Sequence, residues 1–416
     1  MKVVITAGGK GTRIRSVAEE IPKAMIPING KPILAYQVEL AKRYGYTDFL
    51  FLVGHLGHKI EDYFGDGSSF GVTIEYYHEE KPLGTAGAFA EIKDKLSSDF
   101  WVFYGDTVMD FDMKKMLDFH QHHSSEATLF LHPNDHPYDS DLVDVDSSSR
   151  VSSFYPKPHD DGYYRNLVNA ALYILSPSML SFVEPDTKSD FGKHIFPAAL
   201  SAGVNMFGYI SAEYIKDMGT PDRYEKVCRD IDSGKVARLN SKNKRPAFFL
   251  DRDGVINKEV DLLANIEQME LLPGAAEAIK KINQAGYLAV VVTNQPVIAR
   301  NLCDFEDLQH IHNKLETLLG QEHAYLDAIY ICPHHPDKGY PEERPEYKID
   351  CDCRKPKPGM LLQAAKDWNI DLSTSYMIGD RSSDIQAGEA AEVKGSFLIE
   401  QNTNNALLNI VNTLLK

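Results

Sequence analysis

Asp251 and Asp253 stand one residue apart in "FFLDRDGVIN", after an apolar run and before a glycine. Carboxylates at that spacing can work on one phosphate. The first attacks phosphorus, and the second protonates the leaving oxygen and then serves as base for water. A D-x-D pair alone is a weak signal, and the downstream segments strengthen it. "VVVTNQ" ends an apolar run in Thr293 and Asn294, "CRKPKPG" supplies Arg354 and Lys355, and "YMIGDRSSD" presents Asp380, with Asp384 as an assisting acid one turn on. A hydroxyl, a cation and an acid for Mg²⁺ are what phosphate chemistry needs around the pair. Between these motifs Cys332 and His334 form C-x-H, and Cys351 and Cys353 form C-x-C. Three thiols and an imidazole make a closed complement for structural Zn²⁺ in a proline-rich loop with little apolar content. His335 competes with His334 for the nitrogen position.

A second set opens the chain. In "VVITAGGKGTR" an apolar run ends in Gly8, Gly9 and Gly11, followed by Arg13, and "EEIPKAMIP" adds Lys23. Glycines let backbone N–H groups approach a polyphosphate, and two cations beside them suit a triphosphate. "YGDTV" ends a run in Asp106, and "IKDMGTPDRY" presents Asp217 before a turn and helix. Taken singly these acids read as caps; with the loop they read as a carboxylate pair for Mg²⁺.

The elements that must position these residues alternate. "VVITA", "DFLFLV", "VTIEYY" and "FWVFYGD" are strand-like runs separated by amphipathic stretches, the rhythm of a parallel sheet. From Ala127 to Tyr173 shorter strands predict an antiparallel insert over that sheet, which resumes with "NMFGYI". "TPDRYEKVCRDIDSG" predicts a closing helix, and the polar "KVARLNSKNKR" predicts a linker. A second rhythm follows, with strands "AFFLD", "YLAVVVTN", "DAIYIC", "SYMIGD" and "GSFLI". The expected division is 1–234, a linker over 235–245, and 246–416.

The 416 residues, 43% hydrophobic and 25% charged, fit two globular domains. A net charge of -16 argues against a nucleic-acid groove, and there is no apolar run long enough for a bilayer. The first strand starts at Lys2 with no room for a signal segment before it, so cytoplasm is the expected compartment. Five cysteines do not suggest a disulfide framework. The histidines of "HQHHSS" and "LQHIHN" read as exposed or packing residues without acid partners. Oligomeric state has no signature in the sequence.

The set G-x-G-T-R then P-K, with Asp106 and Asp217, resembles the sugar-phosphate nucleotidyltransferases over Met1 to Gly234. The resemblance implies a Rossmann-like α/β domain of the GT-A-like kind. It implies attack of a sugar 1-phosphate oxygen on the α-phosphorus of a nucleoside triphosphate, with pyrophosphate leaving. Gly8, Gly9 and Gly11 would cradle phosphates, Arg13 and Lys23 would stabilise the transition state, and Asp106 and Asp217 would hold Mg²⁺. The sugar-side asparagine maps onto Asn169, and the E-K-P element becomes "YPKP", which keeps Lys157 and replaces the acid by Pro156. Gly84 and Thr85 of "EEKPLGTAGA" would lie near the nucleoside, with Glu80 offered as reader of guanine.

The later motifs resemble the haloacid-dehalogenase phosphatases, implying a second, capless Rossmannoid α/β domain. In this resemblance Asp251, the backbone carbonyl of Asp253 and Asp380 hold Mg²⁺, Asp251 is phosphorylated, and Thr293, Asn294, Arg354 and Lys355 meet substrate. The zinc loop narrows it to the heptose bisphosphate and histidinol-phosphate phosphatases, and that spacing favours His334 over His335. "LDRDGVIN", "CPHHP" and "CDCRKPKPGML" match the former closely, whereas "TNQPVIARN" departs from the usual "TNQSGIARG". Together the resemblances imply consecutive steps: removal of a 7-phosphate from a heptose 1,7-bisphosphate, then GTP-dependent activation of the 1-phosphate. A different sugar such as mannose 1-phosphate, a histidinol-phosphate substrate, or one non-catalytic sensor domain are the alternatives.

Overall fold

Val3, Val4 and Ile5 have no exposed surface, as expected of a strand covered on both faces. They lie in β1 (Val3–Thr6) of a computed structural model that describes residues 1–9, 20–337, 339 and 343–416. Contacts divide the chain into two units: residues 1–132, 143–156 and 169–240, and residues 133–142, 157–168 and 241–416.

In the first unit, β1 is followed by a small hairpin, β2 (Pro27–Ile28) and β3 (Lys31–Pro32). Then come β4 (Asp48–Val53), β5 (Thr73–His78), β6 (Phe100–Tyr104) and β7 (Thr107–Asp110). β1 runs parallel to both β4 and β6, and β4 parallel to β5, so their carboxyl ends share one edge. The helix Ile33–Arg43 buries Leu34, Ala35 and Val38 against this sheet, in one core with Phe49, Phe51, Trp101 and Phe103. Each such large apolar side chain contributes roughly 1.5–3 kcal/mol by leaving water. The resulting rigidity holds the edge where the glycines and Asp106 emerge.

The expected insert is different in the structure. β8 (Ala127–His132), β9 (Leu142–Val145), β10 (Val151–Tyr155), β11 (Val168–Leu175) and β12 (Met206–Ile210) extend the same sheet to nine strands. They do not form a layer over it, because Leu172–Leu175 of β11 pair antiparallel with Phe100–Phe103 and take the open edge of β6. Ala171, at φ +57°, marks a kink just before that pairing. β13 (Tyr214–Asp217) pairs antiparallel with β7, and the helix Pro221–Asp232 follows, its Thr220 hydroxyl accepting from the Arg223 N–H.

The second unit is built on a five-stranded parallel sheet. Its strands are β14 (Ala247–Leu250), β15 (Leu288–Asn294), β16 (Ala328–Cys332), β17 (Tyr376–Gly379) and β18 (Gly395–Leu398), all five as expected. The order is β16-β15-β14-β17-β18, so the chain reverses direction across the sheet at β14. A crevice opens at the carboxyl ends of strands at such a reversal. The helix Phe305–Gln321 covers one face, with Leu308, Ile311, His312, Leu315 and Leu319 buried at helical spacing. Among the described residues no helix is long and apolar enough to cross a membrane.

Candidate active sites

At the carboxyl edge of the first sheet lies a cavity of about 300 Å³ lined by Gly8, Gly9, Lys23, Glu79, Thr85 and Asp106, among others. Gly84 also lines it, at φ +81°; a Cβ there would meet the Ser189 carbonyl oxygen at 2.2 Å, so both conformation and space demand glycine. A Cβ on Gly9 would meet nothing within 4 Å, which leaves its backbone approachable from the cavity. Thr85 donates its hydroxyl to Asp190 (2.7 Å) and accepts from the Phe191 N–H (3.1 Å), so it braces the wall.

The backbones of Asp106 and Asp217 are neighbours, because β7 and β13 pair with Asp217 opposite Thr107 and the Met218 N–H donates to the Asp106 carbonyl. The Lys23 ammonium donates to Asp106, and Arg223 Nη1 spans both oxygens of Asp217 at 3.0 and 2.7 Å. Burial opposes ionisation of Asp217, but Arg223, the Gly219 N–H and Lys23 outweigh it and hold the carboxyl below its ordinary range. Two carboxylates offer the hard oxygen donors that Mg²⁺ takes.

Several expected residues do not join this cavity. Gly11 and Arg13 lie outside the described residues. Glu80 is exposed and absent from the lining, whereas its neighbour Glu79 lines the cavity beside Gly8, its carboxyl pushed up by burial. Glu79 directly follows β5 and meets the cavity, while Glu80, one residue on where the chain bends, does not. Lys157 donates to the carbonyl and carboxylate of Asp139, and both residues belong to the second unit. Asn169 accepts from the Ala171 N–H across the β11 kink.

In the second unit, Asp251 follows β14, Thr293 and Asn294 end β15, and Asp380 follows β17, all around the crevice beside β14. Lys355 reaches the same point from its loop, its ammonium 2.9 Å from Asp251, 2.7 Å from Asp384 and 2.8 Å from the Val292 carbonyl. Asn294 fixes that loop by a reciprocal pair, donating to the Lys355 carbonyl and accepting from its N–H, both at 3.1 Å. Thr293 is buried and its hydroxyl accepts from Gln295 at 2.9 Å. Arg354 donates to the His334 carbonyl at 2.9 Å and so braces the cysteine loop.

Asp251, Asp380 and Asp384 can bring one oxygen each within 4.8 Å of one another. Burial raises Asp251 most, Lys355 opposes, and the carboxylates of Asp384 and Asp253 add to the rise, for a pKa of about 7. Asp380 Oδ1 is buried without a hydrogen-bond partner, while Oδ2 accepts from Gln401 at 2.8 Å. Crowded carboxylates and an orphaned buried oxygen fit Mg²⁺. The side chain of Asp253 stands outside this group, bound by Arg252, Asn257 and Gln295.

Cys332, His334, Cys351 and Cys353 converge at the end of β16. The three sulfurs are 3.2–3.5 Å apart, and His334 Nδ1 lies 3.3 Å from Cys353 Sγ. Burial pushes the Cys332 and Cys353 thiols upward, a protonated preference that a divalent cation reverses. Four soft donors around one point are compatible with structural Zn²⁺. His335 turns away and accepts from the Asp337 N–H at 3.1 Å, so His334 is the nitrogen of the cluster.

Of the histidines read as lacking acid partners, His120 has one, whereas the partner of His312 is an arginine. His120 is buried between Thr128 and Asp99, at 2.8 and 3.3 Å. His312 sits against Arg252, which bonds Asp253. Both are buried, in keeping with a packing role, and their partners come from other segments of the chain.

One edge thus gathers Lys23 and Asp106 at a glycine-lined cavity, and the other gathers Asp251, Lys355, Asp380 and Asp384, arrangements suited to phosphate chemistry. Residues 2–234 match the Nucleotidyl transferase family, and residues 185–392 match the haloacid dehalogenase-like hydrolases. The chain belongs to both families and is an enzyme with a nucleotidyltransferase and a phosphatase domain. Its second half is similar to the D-glycero-beta-D-manno-heptose-1,7-bisphosphate 7-phosphatase of Pasteurella multocida, 42% identical over 156 residues, covering 38% of this chain and 82% of that protein. It is similar also to the alpha-heptose counterpart of Photorhabdus laumondii, 40% identical over 172 residues, covering 40% and 92%. The first half is similar to the mannose-1-phosphate guanylyltransferase of Mycobacterium tuberculosis, 33% identical over 233 residues, covering 56% of this chain and 64% of that protein.

Proposed function

We propose that the chain makes a GDP-heptose in two steps, removing the 7-phosphate of D-glycero-D-manno-heptose 1,7-bisphosphate and then transferring GMP from GTP to the heptose 1-phosphate. The carrying observation is the similarity of the second half to heptose 1,7-bisphosphate phosphatases in one chain with a half similar to a guanylyltransferase. The product of the first reaction is the nucleophile that the second needs. Relatives named for both anomers match, so both bisphosphates belong in the assay. The reading divides the chain into residues 1–234 and 246–416, with residues 133–142 and 157–168 packing in the second compact unit.

In the phosphatase, an Asp251 oxygen attacks phosphorus and the bond to the sugar oxygen breaks as Asp253 delivers its proton there. Water then gives a proton to Asp253 while its oxygen attacks the phosphorus on Asp251; the P–O bond to Asp251 breaks, freeing its carboxylate, and inorganic phosphate leaves. Lys355 neutralises charge on Asp251 and the phosphoryl group, and Arg354 and the Thr293–Asn294 strand end shape the rim. Asp251, the Asp253 carbonyl and Asp380 would hold Mg²⁺, which would supply further charge neutralisation, and Cys332, His334, Cys351 and Cys353 would hold Zn²⁺ as a staple of the loop.

In the transferase, the sugar phosphate oxygen attacks the α-phosphorus and pyrophosphate departs, with Gly8, Gly9 and Gly11 along the phosphates and Arg13 and Lys23 balancing charge. Asp106 and Asp217 would hold Mg²⁺ in this reading, and it would neutralise charge on the phosphates. Asn169 remains the assigned sugar contact, whereas the engagement of Lys157 by Asp139 counts against that residue. The base reader is Glu79, since a carboxylate in the cavity wall can accept from both N1–H and the 2-amino group of guanine. Separate steps require separable losses. Asp251→Asn is expected to lower phosphate release by at least about 1,000-fold while pyrophosphate formation from heptose 1-phosphate stays within about twofold. Loss of both activities in a folded variant contradicts the assignment.

A further inference from the structure

Arg252, between the two aspartates of the phosphatase, has no exposed surface. A buried guanidinium is costly to desolvate unless every donor is used, and an apolar residue of similar volume is often the more stable choice. Here the donors are turned on the reaction machinery. Nε and Nη2 donate to Asp253 Oδ1 at 3.1 and 2.9 Å, and Nη2 also reaches Oδ2 at 2.9 Å. The backbone N–H of the same residue donates to Asp251 Oδ1 at 2.8 Å. One residue thus ties the nucleophile to the proton donor.

Nη1 of Arg252 lies 3.0 Å from Nε2 of His312, on the helix Phe305–Gln321. A guanidinium has no acceptor, so Nε2 must accept, and the ring is neutral with its proton on Nδ1. Burial, reinforced by Arg252 itself, holds the His312 pKa down to about 3, in keeping with that form. Asn257 and Gln295 donate to the remaining faces of Asp253, each at 2.9 Å. With Arg252 they outweigh burial and hold its carboxyl below its ordinary range, so the resting side chain is an ionised acceptor and the proton it delivers is acquired during turnover.

We propose that Arg252, aimed by His312, is the positioning residue of the phosphatase, fixing the plane of the Asp253 carboxylate relative to Asp251. The inference rests on the phosphatase reading with Asp253 as proton donor. Positioning of that donor matters only when the leaving oxygen needs a proton. A sugar alkoxide does; p-nitrophenolate is a stable anion and does not.

The test is single-turnover release of the leaving group by the full chain, from a sugar phosphomonoester and from p-nitrophenyl phosphate. His312→Leu is expected to slow release from the sugar ester by about 10-fold or more, with KM within about threefold and p-nitrophenolate release nearly unchanged. His312→Gln, whose side-chain oxygen can accept from Nη1, is expected to recover most of the loss. Arg252→Lys, which keeps the charge and loses the fork, is expected to repeat the split. Retained zinc verifies folding; should His312→Leu lose it, Arg252→Lys and His312→Gln decide. An equal loss on both esters, or none, in a folded Arg252→Lys or His312→Leu protein overturns the proposal. A wild-type chain inert toward both esters instead contradicts the phosphatase reading itself.

Discussion

Single carboxylates and imidazoles carry the most exposed claims. Glu79→Gln swaps one of two acceptors for a donor facing guanine, and losing a charge-assisted bond costs roughly 1.5–3 kcal/mol. The GTP over ATP preference in kcat/KM is therefore expected to fall about 10-fold or more, while Glu80→Gln leaves it unchanged; the reverse pattern restores the exposed residue. His312 gives a second expectation. Its folded pKa of about 3 lies below the ordinary value of 6.5, so folding favours the neutral ring. That contribution is complete above pH 6.5 and is lost as pH falls toward the folded value, about 3 kcal/mol by pH 4. Denaturant unfolding at pH 7 and pH 4 is expected to show a smaller acid loss in His312→Gln by that amount. The aspartates, Lys355 and the cysteines were legible because residue type and spacing name their chemistry. Arg252 lay in plain view between two aspartates, yet its role became visible only once His312 arrived from a helix 60 positions away.

The strands were the most legible elements. Runs such as Ala247–Leu250 and Leu288–Asn294 are apolar nearly throughout, as burial on both sheet faces requires, and turns with glycine or aspartate end them. The insert was misread because its pattern shows strands without showing which edge they join, and the pairing of β11 with β6 is a long-range choice. The loop from Cys332 to Cys353 has almost no core of its own, with only the short helix Pro345–Tyr347 among its described residues. In the proposed reading a bound metal would provide much of its stability. Stripping by a strong chelator, or Cys351→Ser, is expected to lower the melting of the phosphatase unit by about 10 °C or more and to end phosphate release. Pyrophosphate formation from heptose 1-phosphate should persist. Unchanged melting on complete zinc removal contradicts a structural metal.

At the scale of the molecule, the sequence announced two folds by two separate strand-to-loop beginnings, but not that residues 133–142 and 157–168 pack with the second unit. No local pattern encodes membership of a distant core. Lys157 illustrates the consequence, since its motif suggested a sugar contact in one half while the chain carries it into the other unit. The central claim is that these are consecutive reactions on one sugar. It is tested by supplying the alpha and beta heptose 1,7-bisphosphates with Mg²⁺ and each nucleoside triphosphate, and following phosphate and pyrophosphate separately. Phosphate released first, then pyrophosphate with GTP alone, is the predicted result; phosphate without pyrophosphate for every nucleotide, or neither product from either anomer, would contradict it.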